Sequence, residues 1–499
     1  METIFKSFAL IADPSTLGVM LLASIFGLFV GAIPGLTATM ATALLIPFTF
    51  FMDPVPAIAA IVATVATAIF AGDIPGALLR IPGTPASAAY CDETYAMTKK
   101  GLAERALGIA LVTSIIGGLA GSIVLSLSAP VLAEFAIQFS SYEYFWLACL
   151  GLSCAVIIST GSTLKGFVSL FIGLLIATIG IDGTAGHPRF TFGSVELMGG
   201  VSFIPAMIGM FAISEVLRYV ASNRNAIAVP QQPVGSVFSG LGAILYKYKL
   251  NIFRGSSIGA VVGILPGAGA DIAAWICYAI SKKRSKEPEK FGTGHPEGLV
   301  DAGAANNASL AGAWVPAIVF GIPGDSITAI VIGVLYMKGM NPGPMVFIER
   351  PELIYAVFIA FFIANLTLLP LGFGAIRLSR QILRIPRKVL MPVILMFCMV
   401  GAFAINNTVF GISVMLVLGI IAYLMEENGF PVAPAILGIV LGNMVEDNFM
   451  ASMIKADGDF LGFFSRPISA TLGVITIALW LSPLLVMLVR RARERSNTT

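Results

Sequence analysis

The chain has 499 residues, of which 57% are apolar and 11% charged, with a net charge of +3 at pH 7. An ordinary soluble domain carries roughly 25% charged residues, and a soluble fold with a mean hydropathy of +0.92 would expose large apolar patches and aggregate. A soluble globular protein is therefore excluded, and a lipid-solvated one is expected.

A membrane span needs about 20 mostly apolar residues. In chain order, stretches that meet or nearly meet this length run over 15–52, 57–79, 106–133, 143–160, 166–181, 199–217, 255–280, 311–337, 353–376, 391–404, 409–425, 431–445 and 469–489. They amount to about 12 to 14 membrane elements, some too short or too broken for a simple crossing. The runs are continuous and lack the periodic turns of a transmembrane barrel. The expected fold class is an all-α integral membrane protein. Residues Met1 to Ser15 lack a basic region and a small-residue cleavage site, so the first helix is expected to stay as an anchor. Cys91, Cys149, Cys154, Cys277 and Cys398 show no paired or metal-type spacing and read as small hydrophobes in helices. Basic clusters at Lys282–Lys286, Arg377–Lys388 and Arg490–Arg495 read as topology markers.

The two halves of the chain repeat one another. Val30-Gly31-Ala32-Ile33-Pro34-Gly35 matches Val262-Gly263-Ile264-Leu265-Pro266-Gly267, and Ile81-Pro82-Gly83 matches Ile322-Pro323-Gly324. Tyr95 to Gly101 resembles Leu335 to Gly339, Leu170 to Leu174 matches Leu416 to Ile420, and Pro205 to Gly209 matches Pro434 to Gly438. Placing short basic loops in the cytoplasm puts the Lys99 region inside and its counterpart Lys338 outside, so the repeats are expected to be inverted, a design common among secondary transporters. The expected organisation is a first repeat over 1–220, a cytoplasmic linker over 221–250, a second repeat over 251–465, and a C-terminal helix with a basic tail over 466–499. Arg254 and the Lys282 cluster both read as cytoplasmic, although a single apolar stretch separates them. A hairpin with its tip at Leu265-Pro266-Gly267 reconciles them.

Proline removes an amide donor and glycine relaxes the backbone, so Pro-Gly inside an apolar run marks a broken helix. Such breaks are tolerated in a membrane where they line a polar cavity. Four occur in repeat-related places, at Pro34-Gly35, Pro82-Gly83, Pro266-Gly267 and Pro323-Gly324. Around them lie the candidate substrate ligands Gly35, Thr37, Thr39, Gly83, Thr84, Ser87, Gly267, Gly269, Gly324 and Ser326, since hydroxyls and free amides at half-helix N-termini suit a carboxylate. Asp73, Asp271 and Asp325 are the candidate coupling-ion residues, because a carboxylate inside a span needs a reason. Either Na⁺ or a proton fits them, with helix capping as the alternative for Asp271 and Asp325. Asn306 and Asn307 are expected to open a helix and to serve either as caps or as ligands. Arg80 has three readings: a substrate contact, a side chain snorkelling to the interface, or a partner for Asp73. No Walker-type loop, metal-ligand spacing or Ser/His/Asp arrangement is present, and His187 and His295 read as loop residues. An enzyme is disfavoured and no cofactor is expected.

Val30 to Thr37, Leu79-Arg80-Ile81-Pro82-Gly83-Thr84-Pro85, Ala304-Ala305-Asn306-Asn307-Ala308 and Gly321-Ile322-Pro323-Gly324 together resemble the TctA family, the large membrane subunit of the tripartite tricarboxylate transporters. The resemblance runs from about residue 15 to 465. It implies a bacterial inner-membrane carrier working with a small membrane subunit of TctB type and a periplasmic solute-binding protein of TctC type. It also implies cation-coupled uptake of citrate-like or other small carboxylates. Two departures touch the inferred site: Gly303 stands where the family often has Glu, and Asp325 where a small neutral residue is common. A carrier of the same design for an uncharged or cationic solute, and a channel-like protein, remain as alternatives.

Overall fold

The computed structural model describes residues 2–158, 162–183, 186–221, 237–266, 269–383 and 387–496; at Ile158, Ala270, Asp271, Arg380, Arg387, Asn406 and 482–496 it describes the backbone alone. Gly267, Arg384, the stretch 222–236 of the expected linker and the side chains of Asp271 and the C-terminal basic tail lie outside the described residues.

The first half opens with α1 (Glu2–Ala12) and α2 (Pro14–Gly31), separated by Asp13, whose side chain accepts from the amides of Ser15 and Thr16. Pro34-Gly35 interrupts the apolar run, and Thr37 caps the resumed helix α3 (Ala38–Phe50) by accepting from Met40 N. Pro54 starts α4 (Pro54–Ala71), which leads into α5 (Asp73–Leu79) before the second break. Then come α6 (Cys91–Lys99), α7 (Ala103–Ala136), α8 (Ser141–Ile158) and α9 (Thr163–Ala177). A two-residue antiparallel pair, β1 (Gly180–Ile181) with β2 (Pro188–Arg189), precedes α10 (Phe203–Met207). That helix continues through a π-helical stretch, Ile208–Ile213, into α11 (Ser214–Ala221).

The second half begins with α12 (Leu241–Lys247) and α13 (Lys249–Ile264), followed after the third break by α14 (Gly269–Arg284). Next are α15 (Pro296–Phe320) and, past the fourth break, α16 (Ser326–Met337) and the short α17 (Val346–Glu349). The chain closes with α18 (Pro351–Leu383), α19 (Arg387–Asn406), α20 (Val409–Glu427), α21 (Val432–Lys455) and α22 (Pro467–Ser496). Among the described residues, seven helices are long and apolar enough to cross a membrane, and five more are shorter apolar helices. The molecule is an all-α, multi-pass membrane protein; helices end before Pro34-Gly35, Pro82-Gly83, Pro266 and Pro323-Gly324, whereas Pro75-Gly76 lies inside α5 without interrupting it.

The centre of the fold is α15, buried along nearly its whole length. It packs against α7, α13 and α14. Lipid offers no hydrophobic drive for helices to associate, so close backbone approach through small residues supplies the packing. Gly255, Gly259 and Gly263 of α13 lie on Asp301, Ala305 and Ser309 of α15, and Gly117 and Gly121 of α7 lie on Ala304 and Ala308. The first half repeats the device: Gly27 and Gly31 of α2 lie against Thr64 and Ala68 of α4. Two further contacts cross between the halves, with Gly173 of α9 on Ala435 of α21 and Gly209 of the π-helical stretch on Met415 of α20.

Helices α13 and α14 form the expected hairpin. Cys277 Sγ lies 3.9 Å from Gly255 O, so the Arg254 and Lys282 ends are neighbours. Arg254 is paired with Asp301, which is fully buried, and Asn251 Nδ2 donates to both Asp301 (3.3 Å) and Glu297 (3.1 Å). Nearby, buried Glu93 of α6 accepts from Gly294 N (2.8 Å), His295 N (2.8 Å) and Tyr278 Oη (2.9 Å), tying the first half to the entry of α15. One expectation is corrected here. Asn306 and Asn307 do not open a helix, because α15 already starts at Pro296 and both sit in its interior; Pro at the first helical turn, not Asn, begins it.

A Cβ on Gly259 would stand 2.5 Å from Ala305 O and 2.7 Å from Ala305 Cα. Gly259→Leu should therefore cost about 1–3 kcal/mol of overpacking, measured as a lower Tm in detergent. Gly18→Ala, where nothing lies within 4 Å, should leave Tm unchanged or raise it; equal losses in both variants would contradict the close helix approach.

Candidate functional site

The breaks after α2, α5 and α15 each end one helix and start the next with a different local solution. After α2, Gly35 takes a φ of +88°, which glycine adopts without strain, and turns the chain to the Thr37 cap. After α5, Arg80 adopts a left-handed conformation, and Thr84 and Ser87 cap one another, with Ser87 N donating to Thr84 Oγ1 and Thr84 N donating to Ser87 Oγ, both at 3.1 Å. After α15, Gly321 ends the helix in the left-handed region. Asp325 then starts α16 with a reciprocal cap: its Oδ1 accepts from Thr328 N at 2.8 Å while Thr328 Oγ1 accepts from Asp325 N at 2.8 Å.

These segments converge on one cavity of about 430 Å³. Its wall includes Gly35, Thr37 and Thr39 from the first break, Thr84 from the second, Gly269 after the third, and Asp325 and Ser326 from the fourth. Asn306 of α15 joins them. The N-terminal turns of three helices, α3, α14 and α16, thus face one space. The first amides of a helix have no intrahelical acceptor and carry the positive end of its dipole. Two of these ends are in direct contact, since a Cβ on Gly269 would stand 2.7 Å from Asp325 Cβ.

The remaining candidates sit elsewhere. Gly83 packs on Gly72, whose carbonyl accepts its amide at 3.0 Å, and Ser87 is occupied by its cap with Thr84. Gly324 packs on Ala313. Asn307 is buried in α15 with neither polar atom partnered among the described residues, and it is not part of the cavity wall. Asp73 lies behind the wall, linked to it through Tyr90: Tyr90 Oη donates to Asp73 Oδ1 at 2.7 Å and accepts from Asn306 Nδ2 at 3.1 Å. Arg80 pairs with Asp92 at 2.8 Å, both side chains exposed, and not with Asp73 or the cavity. Gly303 faces Thr113 Oγ1 of α7, where a Cβ would stand at 2.7 Å, so that departure concerns helix packing.

Sequence reasoning missed part of the wall. Ser214, Glu215 and Arg218 of α11 and Glu426 of α20 line the cavity, beside Met210 and Phe211 of the π-helical stretch. Arg218 pairs with Glu215 at 2.7 Å and with Glu426, bridging the two halves of the chain. The available signal was the Glu215/Arg218 spacing at the end of an apolar run, which reads equally well as a topology marker. Among the described residues the wall therefore holds one cationic side chain against three carboxylates, Glu215, Glu426 and Asp325. Among the described residues no group of three or more His, Cys, Asp or Glu side chains is arranged to hold a metal ion.

The family model described as "Tripartite tricarboxylate transporter TctA family" matches residues 17–437, a span that contains every wall residue from Gly35 to Leu437. A protein of Agrobacterium vitis described as "Uncharacterized 52.8 kDa protein in TAR-I ttuC' 3'region" is 33% identical over 459 residues, 91% of this chain and 90% of its own. A second from the same organism, "Uncharacterized protein in TAR-II ttuC' 3'region", is 35% identical over 228 residues, 45% of this chain and 94% of its own. No solved structure matches.

In a background without the native cysteines, Thr37→Cys and Ser326→Cys should react with a small water-soluble thiol reagent at least about tenfold faster than Asn307→Cys, following access to the thiolate. Comparable rates at all three positions would place Asn307 on the cavity and refute the geometry above.

Proposed function

Since the chain belongs to the tripartite tricarboxylate transporter TctA family, we propose that it is the membrane-spanning subunit of a cation-coupled, binding-protein-dependent uptake system for tricarboxylates or related small carboxylates. The observation that carries this reading is the convergence of three helix N-terminal turns and the Asn306 carboxamide on one cavity, whose otherwise largely apolar wall they supply with polar groups. Free amides at helix N-termini hold carboxylates without a cationic side chain. The wall carries more carboxylates than cations, so a bound anion needs a co-bound cation to balance its charge, which supports coupling to Na⁺ or H⁺.

In this reading Gly35, Thr37, Thr39, Thr84, Gly269, Asn306 and Ser326 meet the substrate, and Asp73, Asp271 and Asp325 are the acidic groups available to coupling ions. The two halves act as inverted repeats. The cross-contacts of α9 with α21 and of α10–α11 with α20 support this, because each half lends the equivalent helix to the other. The protein sits in a bacterial inner membrane, receives substrate from a periplasmic binding protein of TctC type, and works with a small membrane subunit of TctB type.

The excess of carboxylates on the wall favours a second reading, a carrier of the same design for a cationic solute. Exchange of labelled carboxylates across vesicles containing the protein, with and without a Na⁺ or pH gradient, separates the two. Carboxylate exchange stimulated by either gradient is expected. Asn306→Ala should weaken it by about tenfold, equal to roughly 1.4 kcal/mol, with membrane insertion intact. No exchange in either gradient would favour the cationic reading.

A further inference from the structure

A short hydrogen-bonded chain leads from the cavity wall to a buried carboxyl group. Asn306, on the wall, donates through Nδ2 to Tyr90 Oη at 3.1 Å, and Tyr90 Oη donates to Asp73 Oδ1 at 2.7 Å. All three side chains are 2% exposed or less. Asp73 Oδ2 and Asn306 Oδ1 have no partner among the described residues. The titratable groups that face Asp73 are Tyr90 and the thiol of Cys91, which points at Gly76 O at 3.4 Å. Arg80 and Asp92, from the flanking segments, pair with each other at the exposed side. Helices α4, α7 and α18 also pack on α5, and among the described residues they bring no charged side chain that acts on Asp73. Asp73 can therefore take up a proton without rearranging an ion pair.

The chain has two self-consistent polarities, because a phenol has one hydrogen to donate. With Asp73 ionised, Tyr90 donates to the carboxylate and its oxygen accepts from Asn306 Nδ2. The carboxamide oxygen is then the end of Asn306 left over for the cavity. The distances in the structure, 2.7 Å and 3.1 Å, fit this arrangement. With the proton on Asp73 Oδ1, the oxygen that faces the phenol, the acid O–H donates to Tyr90 Oη, so the phenol hydrogen turns to Asn306 and requires an acceptor. The carboxamide turns over, gives Oδ1 to Tyr90 and offers its NH₂ to the cavity.

We propose that Asp73, Tyr90 and Asn306 form a proton-set polarity switch, in which protonation of Asp73 converts Asn306 from an acceptor into a donor facing the cavity. A carboxylate then binds the protonated protein and is released from the deprotonated one. One O–H bond forms on Asp73 when the proton enters and breaks when it leaves; no other bond and no electron is exchanged. The switch rests on the carboxylate reading of the cavity and identifies the proton as a coupling ion. Linkage makes the effect reciprocal: the proton strengthens carboxylate binding as much as the carboxylate strengthens proton binding.

The test uses the full chain in nanodiscs and the dissociation constants of radiolabelled succinate and citrate, across alkaline pH, where both probes are fully ionised. The wild-type Kd should rise by about tenfold per pH unit on the alkaline limb, the slope of one-proton linkage. Asp73→Asn and Tyr90→Phe should both flatten it. Infrared difference spectra should show a protonated-carboxyl band that titrates in the wild type and in Tyr90→Phe and is missing from Asp73→Asn. A wild-type slope persisting in either variant overturns the switch. If Asp73→Asn does not assemble, the Tyr90→Phe slope and the wild-type infrared band decide. Binding without any pH slope in the wild type overturns the switch alone, whereas no binding of either probe at any pH overturns the carboxylate reading beneath it.

Discussion

The constraint on which the rest of this structure depends is the peptide group's need for a partner where water is absent. An unpaired N–H or C=O in an apolar medium costs several kcal/mol, so a membrane protein keeps its backbone helical unless an interruption faces a polar space. Four interruptions occur, and three of them are managed by local means among the described residues. Thr37 and Asp325 cap the helices that follow two of them, and Thr84 and Ser87 cap one another at a third. What local capping leaves over is directed inward to a common cavity.

Holding several helix ends around one cavity requires rigid helices behind them. Small residues let α7 and α13 approach α15 at backbone distance, and α2 approach α4 in the same way. Dispersion contacts over such surfaces are individually weak and collectively large, and they leave α15 with no rotational slack. Asn306 therefore reaches the wall while its neighbour Asn307 turns away from it. At one end the arrangement is anchored by polar contacts, the Arg254–Asp301 pair and the Glu93 carboxylate surrounded by backbone amides. Removing one partner of such a buried pair costs more than the pair's own net contribution, so these contacts specify how the two halves meet.

The electrostatics of the cavity follow from its construction. Helix N-termini attract an anion, while Glu215, Glu426 and Asp325 discourage one unless positive charge accompanies it. Arg218 is already committed to Glu215 and Glu426 and joins α11 to α20. In the proposed carrier, this arrangement would make anion affinity conditional on cations, the property a coupled carrier needs and a simple anion trap lacks. The proposed Asp73–Tyr90–Asn306 switch would be one route by which that condition reaches the wall.

Composition and local pattern by themselves determined the membrane class, the helical content, the positions of the broken spans and the hairpin of α13 and α14. Each depends on one segment: a run of apolar residues either is long enough to span or is not, and a proline denies its amide to any helix. The polar residues beside the breaks were legible for the same reason, and Thr37, Thr39, Thr84, Gly269, Asn306, Asp325 and Ser326 do meet. Only the tertiary structure decided which neighbours share the cavity. Asn306 and Asn307 are indistinguishable by spacing, and the rotation of α15, set by glycines far away on α7 and α13, separates them. Arg218, Glu426 and Tyr90 lie at distant points of the sequence, and no local rule brings them to Asn306, because helix packing between the halves places them there.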